Sequence, residues 1–315
     1  MCCKTNLFNR LKEKTKEQEK NTLFFDKRMI SSSHINFLFG SGINGTVIPQ
    51  MKDCEKTLSL IEEYGGDVSK GLEGAIDDLE NPEQREDVKE CFIKELKEKY
   101  REYKNNPEAE KIESIVNLRA LMREIHSIVK MSENRTKSME QINIYTLNYD
   151  DILEDVVDGL GFFFSSISAS NVNEKSSLFD VVGCNYTTEK TIPMITISKL
   201  HGDMDNPILP GREKYREVLN EEYFEIVYNM KEKLSRDNSI LIVIGYSGRD
   251  EHINKILKEC VNRGLVIFWY KFTKDDKTIM DDNLPIHIWE PELNDETKDT
   301  TKVCYEDLRK IWKEK

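Results

Sequence analysis

No stretch of this 315-residue sequence approaches the roughly 18–20 consecutive apolar residues needed to span a bilayer. The first twenty residues, MCCKTNLFNRLKEKTKEQEK, lack the apolar centre of a secretory signal. There is no C-x-x-C pair among the seven scattered cysteines, which argues against both a four-thiolate zinc site and a disulfide framework. Positive charge is in deficit: 46 Lys and Arg face 58 Asp and Glu, a net charge of −12. Bulk electrostatic attachment to nucleic acid or to an anionic membrane is therefore not expected. Internal repeats and low-complexity tracts are also absent. A cytoplasmic globular protein is the expectation.

What is present is strand and helix signal in alternation. Short apolar runs occur at Ile35–Phe39, Ile142–Thr146, Phe162–Ser165, Met194–Lys199, Ile240–Gly245, Leu265–Tyr270 and Ile286–Trp289. Helical patterns lie between several of them, at 151–158, 213–234 and 249–262. Strands alternating with helices predict an α/β fold, a Rossmann-like, doubly wound and mostly parallel sheet. LIVIG and LVIFWY are nearly continuous apolar runs, as expected of strands covered on both faces. The period changes between about 52 and 138. Ile112, Ile115, Val116, Arg119, Met122, Ile125 and Val129 follow helical spacing, as do Phe92, Leu96 and Tyr100. Asn81-Pro82 and Asn105-Asn106-Pro107 divide this stretch. It predicts a helical module of three to five helices inserted into a domain spanning 31–290. Residues 1–30 read as a helix or arm, and 291–315 as a polar tail with a short helix at Tyr305–Trp312.

In such sheets ligands bind beyond the carboxyl ends of the strands, so the residues following each strand matter most. Gly40-Ser41-Gly42-Ile43-Asn44-Gly45 follows the first strand. Small residues there let backbone approach a pyrophosphate, though a tight turn alone would also explain them. Asn148-Tyr149-Asp150-Asp151 follows the second; a helix N-cap accounts for one aspartate but not for Asn148. His201-Gly202-Asp203 follows Ser198-Lys199-Leu200. Of the five histidines only His201 stands at a strand end, whereas His252 falls in a helical pattern. Gly245-Tyr246-Ser247-Gly248 ends another buried strand, with Ser247 or Asp250 available as an ordinary cap.

Taken in order, these segments resemble the SIR2 superfamily, and within it the bacterial SIR2-like proteins of antiphage defence. FLFGSGIN is similar to the family's G-A-G-x-S loop, TLNYD to T-Q-N-I-D, KLHGD to its histidine-glycine pair, and IVIGYSGRDEHI to its late G-T-S or G-Y-S motif. The resemblance spans about residues 30–270. It departs from the deacylating members: Gln50-Met51-Lys52 stands where they have D-F-R, and their zinc module of two C-x-x-C pairs is missing.

The resemblance implies NAD⁺ as substrate, no zinc, and cleavage to nicotinamide and ADP-ribose. It implies that Asn148 positions water and ribose, that His201 accepts a proton, and that Asp150 holds the carboxamide or supplies negative charge. Gly40, Ser41, Gly42 and Asn44 would line the pyrophosphate and adjoining ribose. Gly245, Tyr246 and Ser247 would close the adenosine side, with Asp250 capping a helix. An abortive-infection effector of this kind would be controlled by homo-oligomerisation or by a partner such as a HerA-like ATPase. Two other functions stay open at this point: an NAD-dependent protein deacylase, and a non-catalytic sensor or assembly subunit binding NAD⁺ or ADP-ribose.

Overall fold

The computed structural model describes residues 25–45, 47–48, 53–70, 72–132, 135–136, 139–168, 170, 194–209, 221–272, 285–291 and 299–313. Expectations for residues 1–24, for 213–220 and for Gln50-Met51-Lys52 fall outside them.

Seven strands form one sheet: β1 (His34–Phe39), β2 (Ile142–Thr146), β3 (Phe164–Ile167), β4 (Ile195–Lys199), β5 (Ser239–Ile244), β6 (Val266–Tyr270) and β7 (Ile286–Trp289). Their order is β3-β4-β2-β1-β5-β6-β7, and every pairing is parallel. This is a Rossmann-like α/β sheet. β1 lies at the centre with β2 on one side and β5 on the other, so the winding reverses there. That is the topological switch point, where a crevice opens beyond the strand ends.

The period-2 geometry of β1 sends Ile35, Phe37 and Phe39 to one face and Leu38 to the other. On the first face lies the inserted module: α2 (Glu55–Glu63), α3 (Leu72–Asp77), α4 (Pro82–Asn105) and α5 (Glu113–Met131), following a short α1 (Lys27–Ser32). Asn81 caps α4 by accepting the Glu83 N–H at 2.9 Å, and Pro82 occupies the first helical position, where its missing N–H costs nothing. α5 buries Ile115, Met122, Ile125 and Val129 as its spacing predicts, but Val116 is 47% exposed. α6 (Ile152–Gly159) joins the same face. The opposite face is covered by α7 (Glu221–Leu234) and α8 (Glu251–Val261), through Ile226, Met230, Ile253 and Leu257.

Two expected boundaries move. Phe25 is buried and its ring lies 4.6 Å from that of Phe268, so the domain begins before residue 30. The C-terminal segment is not a polar appendage: α9 (Thr300–Lys313) packs on α5 and buries Val303, Cys304, Leu308 and Ile311. The apolar stripe on α9 was hidden in the sequence by the charged residues alternating with it. Among the described residues no helix is long and apolar enough to cross a membrane, and Cys54, Cys91, Cys260 and Cys304 are free thiols.

Candidate active site

The crevice at the switch point has a volume of about 200 Å³. Its wall is assembled from four separate turns. Gly40, Ser41 and Asn44 come from the turn after β1; Asn148 and Asp150 from that after β2; His201 follows β4; Gly245, Tyr246 and Ser247 follow β5. Nine of the ten residues singled out from the sequence thus share one cavity. The tenth, Gly42, does not line it. Its N–H donates to Gly245 O at 3.3 Å, while the Gly40 N–H donates to Ile244 O at 3.0 Å. These two amides are engaged by β5 and its turn, and are not free to meet a phosphate. The glycines are required by close packing: a Cβ on Gly40 would stand 2.2 Å from Gly245 O, and Gly245 itself has φ +68°.

Asp150 is the best-connected side chain of the site. Asn44 Nδ2 donates to its Oδ2 at 2.7 Å, and the Ile152 N–H donates to its Oδ1 at 3.1 Å. Burial pushes its carboxyl above the usual carboxylate range, opposed by the Ile152 N–H, the nearby Lys199 cation and Asn44. Asp151, the N-cap residue of α6, makes no capping bond with its side chain. It pairs with Lys199, whose Nζ lies 2.5 Å from Asp151 Oδ1, 2.7 Å from Asp150 O and 3.1 Å from Tyr149 O. Burial alone would lower the Lys199 pKa, but the carboxylates of Glu154 and Asp151 leave it raised. This buried ammonium clamps the turn that carries Asn148 and Asp150. Nothing in the sequence singled out Lys199, since a lysine ending a strand is ordinarily solvated.

Asn148 and Asn44 each present a buried side-chain oxygen with no hydrogen-bond partner among the described residues. Buried acceptors are rarely left unmet unless a ligand or water completes them. Tyr246 is buried, stacks on Trp269 at 5.5 Å and donates to Asn254 Oδ1 at 2.9 Å. Its role includes holding the turn after β5 to α8.

Asp250 departs from its expected role. It occupies the N-cap position of α8, yet its side chain makes no capping bond. It lines the crevice, with Oδ1 3.7 Å from His201 Nε2. An apolar wall was also unforeseen: Ile48, and Phe92 and Leu96 from α4 of the inserted module. Helical spacing marked Phe92 and Leu96 as apolar-face residues but could not say what they would face.

The fold is a Rossmann-like α/β domain with a crevice at the switch point of its sheet. Residues 142–276 match the family model for the SIR2-like domain; this is less than half of the chain, and it includes Asn148, Asp150, His201 and the turn after β5. No curated protein matches the chain. A solved structure described as "Structural Basis for the Mechanism and Regulation of Sir2 Enzymes" is similar at 11% sequence identity and a TM-score of 0.41, over 91% of this chain and 95% of that one.

Proposed function

We propose that this chain is an NAD⁺ glycohydrolase, which adds water across the bond between ribose and nicotinamide to give nicotinamide, ADP-ribose and a proton. The observation that supports this most is the convergence of Asn148, Asp150 and His201 from two strand ends on one crevice beside a glycine turn. The match of residues 142–276 to the SIR2-like domain supports an NAD-related activity.

The chemistry needs little from the protein. Nicotinamide departs as a neutral pyridine, so its departure requires no general acid. Positive charge develops on the ribose as in other glycosyl cleavages. The two unmet amide oxygens of Asn44 and Asn148 suit ribose hydroxyls or an attacking water. Asp150 supplies negative charge near the reacting carbon, and His201 takes the proton released by water. Ile48, Phe92 and Leu96 offer apolar cover for the departing ring. At about 200 Å³ the cavity lies below the roughly 300–1,000 Å³ usual for ligand sites. It is sized for the nicotinamide–ribose end rather than the whole dinucleotide. A defence role, homo-oligomerisation and a partner ATPase belong to the same proposal and rest on sequence resemblance alone.

The test is purified protein with NAD⁺ alone, nicotinamide being followed over time for wild type, Asn148→Ala and His201→Ala. Turnover in the wild type, lost in both variants while binding persists, supports the proposal. Equal turnover in all three overturns the assignment. Release that begins only when an acyl-lysine peptide is added identifies a deacylase.

A further inference from the structure

We propose that His201, Asp250 and His252 form a site for a zinc-class divalent cation beside the crevice, and that the bound ion holds the enzyme inactive. The second clause rests on the NAD⁺-cleaving reading; the first does not.

The three residues come from two distant parts of the chain. His201 follows β4, while Asp250 and His252 begin α8. One ring nitrogen from each imidazole and one carboxylate oxygen all lie within 4.8 Å of one another. His201 Nε2 is 3.7 Å from Asp250 Oδ1, and the two imidazole centroids are 5.7 Å apart at an interplanar angle of 37°. Tetrahedral zinc, with bonds of about 2.0–2.2 Å, separates its ligand atoms by about 3.4 Å. The widest of these separations must therefore shrink by about 1 Å for the three atoms to share one ion.

The donor set decides the class of ion. Two imidazoles and one carboxylate suit zinc and its late first-row neighbours, whereas magnesium and calcium favour oxygen alone. Three protein ligands leave a fourth position for water. The start of a helix disfavours a cation, and the Asp250 carboxylate, not engaged in capping, offsets that cost within the set itself.

Occupancy is incompatible with turnover. Ligation uses the lone pair with which His201 would accept a proton, and it places positive charge beside a ribose that becomes positive as nicotinamide leaves. The cation sets unproductive NAD⁺ destruction to rest until it is withdrawn.

The experiment titrates metal-free, full-length protein with Co²⁺ and follows the visible absorption of tetrahedral cobalt. The wild type should develop the band and lose it when Zn²⁺ is added. His252→Ala should abolish the band, and Asp250→Asn should weaken Co²⁺ binding by about tenfold or more. In parallel, Zn²⁺ should suppress nicotinamide release from NAD⁺, and a chelator should restore it. No band in the wild type, or bands in both variants equal to that of the wild type, overturns the site. A variant-sensitive band with zinc-insensitive turnover overturns the inhibitory role. A variant-sensitive band on Co²⁺ titration, with no nicotinamide released by the metal-free protein, supports the site and overturns NAD⁺ hydrolysis.

Discussion

The side-chain amide of Asn44, in the turn after β1, donates at 2.7 Å to the buried carboxylate of Asp150, in the turn after β2. It is a bond between residues 106 positions apart, and it ties the glycine turn to the turn bearing Asn148. Asn44→Ala leaves one carboxylate oxygen buried without that donor. Such a loss costs about 1–3 kcal/mol. The expected outcome is a lower denaturant midpoint together with reduced nicotinamide release. An unchanged midpoint would show that water replaces the amide without loss.

Asp150 predicts a pH dependence. Both its oxygens accept hydrogen bonds, which favour the ionised form, while burial outweighs them and raises its pKa. Activity that needs the carboxylate is present above that raised pKa and is lost as pH falls through it. The acid limb of kcat/KM should therefore lie above the ordinary carboxylate value of about 4. Asp150→Asn should remove the limb and lower kcat/KM, on the order of 10²-fold. A limb that persists in the variant assigns it to another group.

The glycines after β1 and β5 predict a contrast. Gly40→Ala forces a Cβ to within 2.2 Å of Gly245 O, against backbone that has no room to yield. It should cost several kcal/mol, at about the overpacking limit or beyond, and unfolding midpoints would register it. Gly159→Ala, at the end of α6, meets nothing nearer than Arg119 at 3.9 Å. It should be neutral or stabilise by about 0.4–1 kcal/mol. Equal effects at the two positions would refute the close turn-to-turn packing.

Lys233, on α7, is buried and donates to Asn143 Oδ1 at 2.9 Å. Burial, aided by the Arg236 cation, lowers its pKa to about 7 from 10.5. Above pH 7 the unfolded chain holds a proton that the folded chain has released. Stability from this group therefore rises with pH, with a slope approaching about 1.4 kcal/mol per unit. Cys54, which burial pushes up to about 12 from 9, acts in the opposite sense above pH 9. The clean window is thus about pH 7 to 9. Urea midpoints should climb across it in the wild type and stay flatter in Lys233→Met. Parallel profiles would mean that Lys233 keeps its proton when folded.

The residues themselves fixed much of this protein. Apolar runs such as LIVIG carry β-branched side chains at consecutive positions, and only a strand covered on both faces can bury all of them; β5 is buried along its whole length. The glycines and polar residues interrupting those runs mark the strand ends, and there the crevice lies. Periodicity, however, reports which face of an element is apolar and is silent about its neighbour. Phe92 and Leu96 could therefore be read as buried but not as the wall of a site. His252 sits at an unexceptional helical position, and only the crossing of the chain from β4 to β5 sets it beside His201. For the same reason Asp250 looked like a cap, and nothing in the spacing marked Lys199. Their electrostatic partners are brought within reach by folding, because Coulomb and hydrogen-bond interactions depend on distance in space and carry no signature in sequence spacing.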